Sequence, residues 1–334
     1  MPADAFPDPS SACPESGPSA ASRMLSFFVF NTNVTLTVYG NDCPSLDEGL
    51  LSCRDRCVRF ERLLSRTRAD SDLSRINRGA PAPVRVAFET ADVVKSALGY
   101  CERSGGLFDI TMGTATSLWD FHRGVVPSKW ALARAVEHVD WHCVHVGADA
   151  ADLPTVALDD PASVLDVGGF AKGYVADDLA GLLRARGINR FSLNLGGNVM
   201  LSCGDGGSGA CEPWRVGIVD PFAPKTFRAV VEVENGSVAT SGAHERRFCR
   251  GGATFHHILD PRDGMPARTD VASASVVASR SVDCDGYSTT LFMMGVEAAL
   301  EFAERTAGIE AVIIDERGGL HWTSGLENRV SPVG

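Results

Sequence analysis

The feature that most constrains this chain is the irregular order in which strand-like and helix-like runs follow one another. Ser26–Gly40 (SFFVFNTNVTLTVYG) alternates and is rich in β-branched residues, which predicts a strand or hairpin. In Leu46–Leu64, residues Leu50, Leu51, Cys57, Val58, Phe60, Leu63 and Leu64 fall near helical spacing. Ser71-Asp72 can start a short helical turn, Glu89–Arg103 reads as a helix, and Ser128 is a candidate N-cap for another over Ser128–Val139. Val144–Val164 holds two short alternating runs. A Gly-containing turn then leads into a helix with Val175, Leu179, Leu182 and Leu183 on one side and Gly187 as its stop. Strands are predicted at Phe191–Leu195, Trp214–Val219, Ala229–Val233, Ser237–Ser241, Ala272–Ala278 and Glu310–Asp315. A helix is predicted to begin at Asp285 and continue through Glu304. No βαβ beat repeats, so the expected class is α+β, with mixed or antiparallel sheets flanked by helices. No linker splits the run, and residues 24–334 are expected to form one domain.

Composition narrows the function. The 334 residues carry a formal net charge of −11, against the basic footprint that a nucleic-acid surface needs. A small anionic ligand remains open, because one Lys, a metal ion and backbone N–H groups suffice to hold it. Ten cysteines are scattered without a Cys-x-x-Cys pair, and Cys53 and Cys57 share a helix face; reduced thiols and a reducing compartment are the expectation. Residues 1–23, rich in Pro, Ser and Ala, read as a disordered tail without the basic and apolar regions of a signal peptide. No lipobox precedes Cys13, and MLSFFVF is too short to span a bilayer. A cytoplasmic protein without a membrane segment is expected.

Four segments set Gly, Asp, Lys, His and Thr beside apolar runs. GGLFDITMG (Gly105–Gly113) has glycines that let backbone approach a ligand, although taken alone a plain turn before a strand is the favoured account. DVGGFAKG (Asp166–Gly173) offers backbone amides at a helix start, with Lys172 as a point charge; a strand-to-helix turn with a surface lysine is the alternative. HHILDPRDG (His256–Gly264) places two histidines at a strand end before a turn. Neighbouring strand residues point opposite ways, so only one of them can face a site. In DCDGYSTTLFMMG (Asp283–Gly295), Asp285 and Thr289 share a helix face and make a hard, oxygen-only donor pair suited to magnesium and not to zinc; an N-capping Asp is the alternative.

Taken together, in order and wording, these segments resemble the ApbE family of FAD:protein FMN transferases. The likeness runs from Phe30 to about Asp315 through SRINR (Ser74–Arg78), FDITMG followed by Trp119, LDVGGFAKGY, LNLGGN (Leu193–Asn198), SVATSG (Ser237–Gly242), HHILDPRDG and Asp285-x-x-x-Thr289. The resemblance implies a single ApbE-like, T-fold-like catalytic domain. It implies that Asp166 and Lys172 contact FAD, that Leu107, Phe108 and Asp109 line its adenine and phosphate side, and that Ile258 touches the flavin nucleotide. Asp285, Thr289, the Ser288 carbonyl and the Gly169 carbonyl would bind Mg2+, and His257, Lys172 and Asp285 would be catalytic. The implied reaction moves FMN from FAD, the substrate, to a Thr or Ser hydroxyl of an acceptor redox protein with an FMN-binding domain. Two positions depart from the family pattern: Phe30, where a Met is usual, and Thr67, where some members have an aromatic residue that stacks on FAD.

Breaking a pyrophosphate requires neutralisation of developing negative charge, and a hydroxyl becomes a good nucleophile only as its proton is withdrawn. A magnesium-dependent FAD pyrophosphatase and a non-catalytic FAD-binding module are the alternatives. Asp205–Cys211 (DGGSGAC) resembles an acceptor sequence with Cys211 in place of the hydroxyl residue, and reads as a hairpin turn.

Overall fold

The computed structural model describes residues 21–204 and 212–333. The expectations for the tail up to Ala20 and for the Asp205–Cys211 turn lie outside the described residues.

An eight-stranded sheet organises the chain. Its strands Ala21–Val29, Thr32–Gly40, Arg190–Leu195, Asn198–Cys203, Asn235–Gly242, Val271–Ala278, Ile309–Asp315 and Leu320–Trp322 lie side by side in that order, each antiparallel to its neighbour. Spatial order follows chain order, and the other elements are inserted between consecutive strands, except those that follow the last of them, among them Val330–Pro332. The first two form the predicted hairpin, turned by Phe30 and Asn31 at φ 55° and 56°, the left-handed pair that matches strand twist. Ala21–Arg23, which the sequence assigned to the tail, belong to the first strand.

The central strands of the sheet are buried on both faces, and period-two alternation divides their side chains between two cores, whereas the outer face of the first strand is open, with Met24 and Phe28 exposed. Ala274, Val276 and Ile313 face a helical layer made by the helices Cys43–Leu64, Phe88–Arg103, Ala171–Ala185 and Ser281–Met294. Val277, Val312 and Ile314 face a three-stranded sheet formed by Val330–Pro332, Phe227–Val233 and Trp214–Val219. The class is therefore α+β with antiparallel sheets, as expected.

Several predicted elements stand. Ser71 caps the helix Asp72–Gly79 by accepting from the Ser74 N–H, and Ser128 caps Lys129–Val136 by accepting from the Ala131 N–H. Cys53 and Cys57 are fully buried, and burial pushes both thiols up to about 12, so they serve as inert core. Three expectations fail. The helix expected from Asp285 starts four residues earlier, at Ser281, so Asp285 lies in its second turn and caps nothing on its own helix. It also ends at Met294: Gly295 adopts φ 85°, Asp270 accepts from the Val296 N–H, and a separate helix Val296–Arg305 begins. No strand follows Gly105-Gly106; that loop makes turns and a single bridge between Met112 and Val164.

Candidate active site

The site forms where two helices cap each other. Phe170, the N-cap of Ala171–Ala185, offers no side-chain bond, so the first N–H groups of that helix need outside partners. One partner is Asp285, whose Oδ2 accepts from the Gly173 N–H at 2.7 Å. In return Asp177, one turn further along the same helix, accepts from the Ser281 and Val282 N–H groups at 2.7 and 3.0 Å and caps the helix carrying Asp285. The exchange requires close approach: a Cβ on Gly173 would lie 2.5 Å from the Ser281 carbonyl oxygen. Glycine at this position is therefore a packing requirement.

Asp285 is 6% exposed. Its second oxygen, Oδ1, accepts from Asn198 Nδ2 at 2.9 Å. The Asn198 amide is oriented by its own oxygen, which accepts from Ser281 Oγ (2.5 Å) and Ser237 Oγ (3.2 Å) and so turns the NH2 group toward Asp285. Burial raises the Asp285 pKa, while Lys172, Asn198 and the Gly173 N–H oppose the shift. A carboxylate buried against its desolvation cost, with a lone pair left on each oxygen, is a seat for a cation. One turn on, Ser288 Oγ and Thr289 Oγ1 meet Ser241 Oγ at 3.0 and 3.1 Å, adding three hydroxyls on the same side. The Ser288 carbonyl lies inside the helix. Gly169 is exposed on the turn held by Phe170 N–H to Val167 O (3.0 Å), with nothing within 4 Å of where its Cβ would be. Among the described residues no three His, Cys, Asp or Glu side chains cluster as metal ligands. A cation here would rest on one carboxylate with hydroxyl and carbonyl oxygens, a donor set that fits magnesium.

Lys172 is half-buried on the first turn of its helix, and its charge acts on Asp285, Glu245 and His257 alike. His257 and Glu245 stand at the two feet of the hairpin Arg247–Arg250/Ala253–His256. An aromatic cluster pins this hairpin down: Phe248 packs on Phe255 (5.4 Å between centroids) and Phe121 (5.9 Å), and Trp119 on Phe121 (5.4 Å) and Phe255 (5.7 Å). Of the two histidines only one faces the site, as the strand alternation predicts. His256 points its Nε2 at the Ala267 carbonyl (3.2 Å) and its ring at Phe292. His257 Nε2 stands 4.0 Å from Glu245 Oε2. Burial, with the charges of Arg246, His256 and Lys172, lowers the His257 pKa to about 4, so the imidazole is neutral at physiological pH.

The second wall brings in the rest. Asp166 accepts from the Gly168 N–H (2.9 Å) and pairs with Arg66 (3.2 Å), which also donates to Thr116 Oγ1 (3.0 Å). The Asp166 N–H donates to Ile110 O (2.7 Å), and Asn77 of SRINR exchanges two bonds with Leu165, joining the Gly105–Gly113 loop to the Asp166 turn. Phe108 is buried against Phe170 at 5.9 Å, Leu107 is half-buried and Ile258 is buried. The Asp109 carboxylate braces its own loop, accepting from Thr111 N–H, Thr111 Oγ1 and Trp141 N–H.

Sequence reasoning assigned no role to Asn198, Ser241, Glu245, Asp177 or Arg66. Asn198 closes LNLGGN and opens the strand Asn198–Cys203, and Ser241 is the next-to-last residue of both SVATSG and the strand Asn235–Gly242; a polar residue at the end of a buried strand is the signal in each. Glu245 and Arg66 sit in polar loops with no pattern to mark them.

Comparison with known proteins gives a consistent picture. The sequence profile of the ApbE family matches residues 30–313. A FAD:protein FMN transferase of Treponema pallidum is 38% identical over 281 residues, covering 81% of this chain and 78% of that protein. One from Klebsiella pneumoniae is 31% identical over 302 residues, covering 86% and 89%. Among solved structures, the ApbE protein of Thermotoga maritima superposes with a TM-score of 0.82 at 26% identity over 92% of this chain and 99% of that one. The flavin transferase ApbE of Vibrio cholerae gives 0.79 at 25% identity over 93% and 99%.

Proposed function

The chain belongs to the ApbE family, and from that premise we propose that it transfers FMN from FAD to a Thr or Ser hydroxyl of an acceptor flavoprotein, with magnesium, releasing AMP. The observation that carries this reading is the buried Asp285 carboxylate, fixed by Gly173 and Asn198 and faced by Lys172, next to the hydroxyls of Ser288, Thr289 and Ser241.

Asp285 and Thr289, with the carbonyls of Gly169 and Ser288, would hold the ion. When bound it supplies positive charge against the diphosphate as its bridge breaks. Lys172 adds a second positive charge, and the N-terminus of its helix contributes backbone dipole in the same direction. Asp166, held by Arg66, and the Leu107–Phe108 segment form the wall on which the nucleotide would lie. Neutral His257 is ready to receive a proton, so it can draw one from the acceptor hydroxyl as that oxygen attacks the FMN phosphorus in line and AMP leaves. The acceptor is expected to be an electron-transfer protein, and the site to work in the cytoplasm.

Incubation with FAD and Mg2+, with and without an acceptor, tests the reading by mass spectrometry. The expected products are an acceptor heavier by FMN less water and an equivalent of AMP, with both lost in Asp285→Ala. AMP and free FMN with no adduct would instead mean hydrolysis, and unchanged FAD would mean binding alone.

A further inference from the structure

We propose that Glu245 is the positioning residue of the transfer step, receiving through His257 the proton of the acceptor hydroxyl and handing it to solvent. The inference rests on the transferase reading, and it concerns a residue that neither the motifs nor the nucleotide wall require.

The geometry is specific. His257 Nδ1 is sealed from solvent and has no hydrogen-bond partner, so only Nε2 is left to meet a substrate. Nε2 faces the Glu245 carboxylate at 4.0 Å, too far for a direct hydrogen bond. A gap of that size lets a hydroxyl oxygen sit against Nε2 with the carboxylate beside it. The two residues have different access to water: the side chain of His257 is 26% exposed and that of Glu245 44%. Both are fixed by backbone at the feet of the pinned hairpin, His257 N–H donating to Arg246 O at 3.2 Å and Glu245 N–H to Gly242 O at 3.4 Å.

The charges explain why an imidazole alone is a poor terminus. Arg246, His256 and Lys172 surround His257 and oppose an imidazolium, so a proton taken onto Nε2 needs an onward acceptor. The surroundings of Glu245 work the other way: packing within the protein and the nearby Asp285 favour its protonated form, against Lys172 and Arg246. Glu245, the more exposed of the two side chains, is the one placed to pass that proton on to water. The balance is complete. An oxygen–phosphorus bond forms to the acceptor, the diphosphate bond breaks, AMP leaves with the electron pair, and the proton passes from hydroxyl to Nε2, to Glu245 and to water.

The test is the pH dependence of single-turnover FMN transfer, read as adduct mass and AMP together, for wild type, Glu245→Gln and Glu245→Asp, alongside FAD affinity. Glu245→Gln is expected to lower kcat about 10- to 100-fold with the KM for FAD unchanged, and to lose an acid limb that wild type shows above the ordinary glutamate range. Glu245→Asp is expected to recover part of the rate and keep a limb. Glu245→Gln with wild-type kcat and an unchanged profile would overturn the proposal, as would a loss confined to KM or to thermal stability. Absence of adduct in the wild type would overturn the transferase reading instead, so the two failures are told apart.

Discussion

At the scale of single residues, Asp285 meets two demands at once. It satisfies the Gly173 N–H and the Asn198 amide, and it carries a charge that burial disfavours. In the metal-free protein its pKa is raised on folding. The folded state then holds a proton that the unfolded chain has already released, and stability falls as pH rises through that window. A cation bound only by the folded state reverses this. Mg2+ is therefore expected to raise the Tm of the wild type at neutral pH and to leave the Tm of Asp285→Asn unmoved; equal shifts in both would remove Asp285 from the metal site. His257 has the opposite sign. Its pKa falls on folding from the usual 6.5 or so to about 4, so the folded state binds fewer protons in between and stability declines as pH drops across that interval. An NMR titration of the metal-free protein should place the His257 midpoint near 4, and a midpoint near 6.5 would show the imidazole to be solvated. Motif wording made Asp285, Thr289, Lys172 and His257 legible in the sequence. Asn198, Ser241 and Glu245 were not, because their significance comes from strands and a hairpin that meet only after folding.

At the scale of elements, the site depends on the reciprocal capping of the helices Ala171–Ala185 and Ser281–Met294. Gly173→Ala would press a methyl group to 2.5 Å from the Ser281 carbonyl, an overpacking worth about 1–3 kcal/mol, and would move Lys172 and Asp285 apart. Calorimetry should show a lower Tm together with weakened Mg2+ binding. A variant that lost neither would mean the helices are free to separate. This contact also explains the misplaced helix start. Asp283 and Asp285 look like N-terminal signals, yet the true start at Ser281 is capped from another helix by Asp177, and no local pattern can report a cap supplied from about a hundred residues away. The break at Gly295 was missed for a related reason: apolar residues continue on both sides, and only the positive φ of that glycine and the Asp270 cap stop the first helix.

At the scale of the molecule, the sheet makes the site possible. Its strands keep their chain order, so the insertions between them emerge as loops and helices, and the segments from Asp166, Asn198, Ser241, His257 and Asp285 converge although they are up to 119 residues apart (285 minus 166). The α+β class was readable because alternation and helical spacing are local. The two-sided burial was not, since strands such as Val271–Ala278 serve both cores. The most direct test of the whole account is a crystal structure with FAD and Mn2+, which takes the place of magnesium and is located by anomalous scattering. The account predicts a metal peak at Asp285 and Thr289, with the FAD diphosphate between it and Lys172. A nucleotide bound elsewhere, or a metal peak away from Asp285, would contradict it.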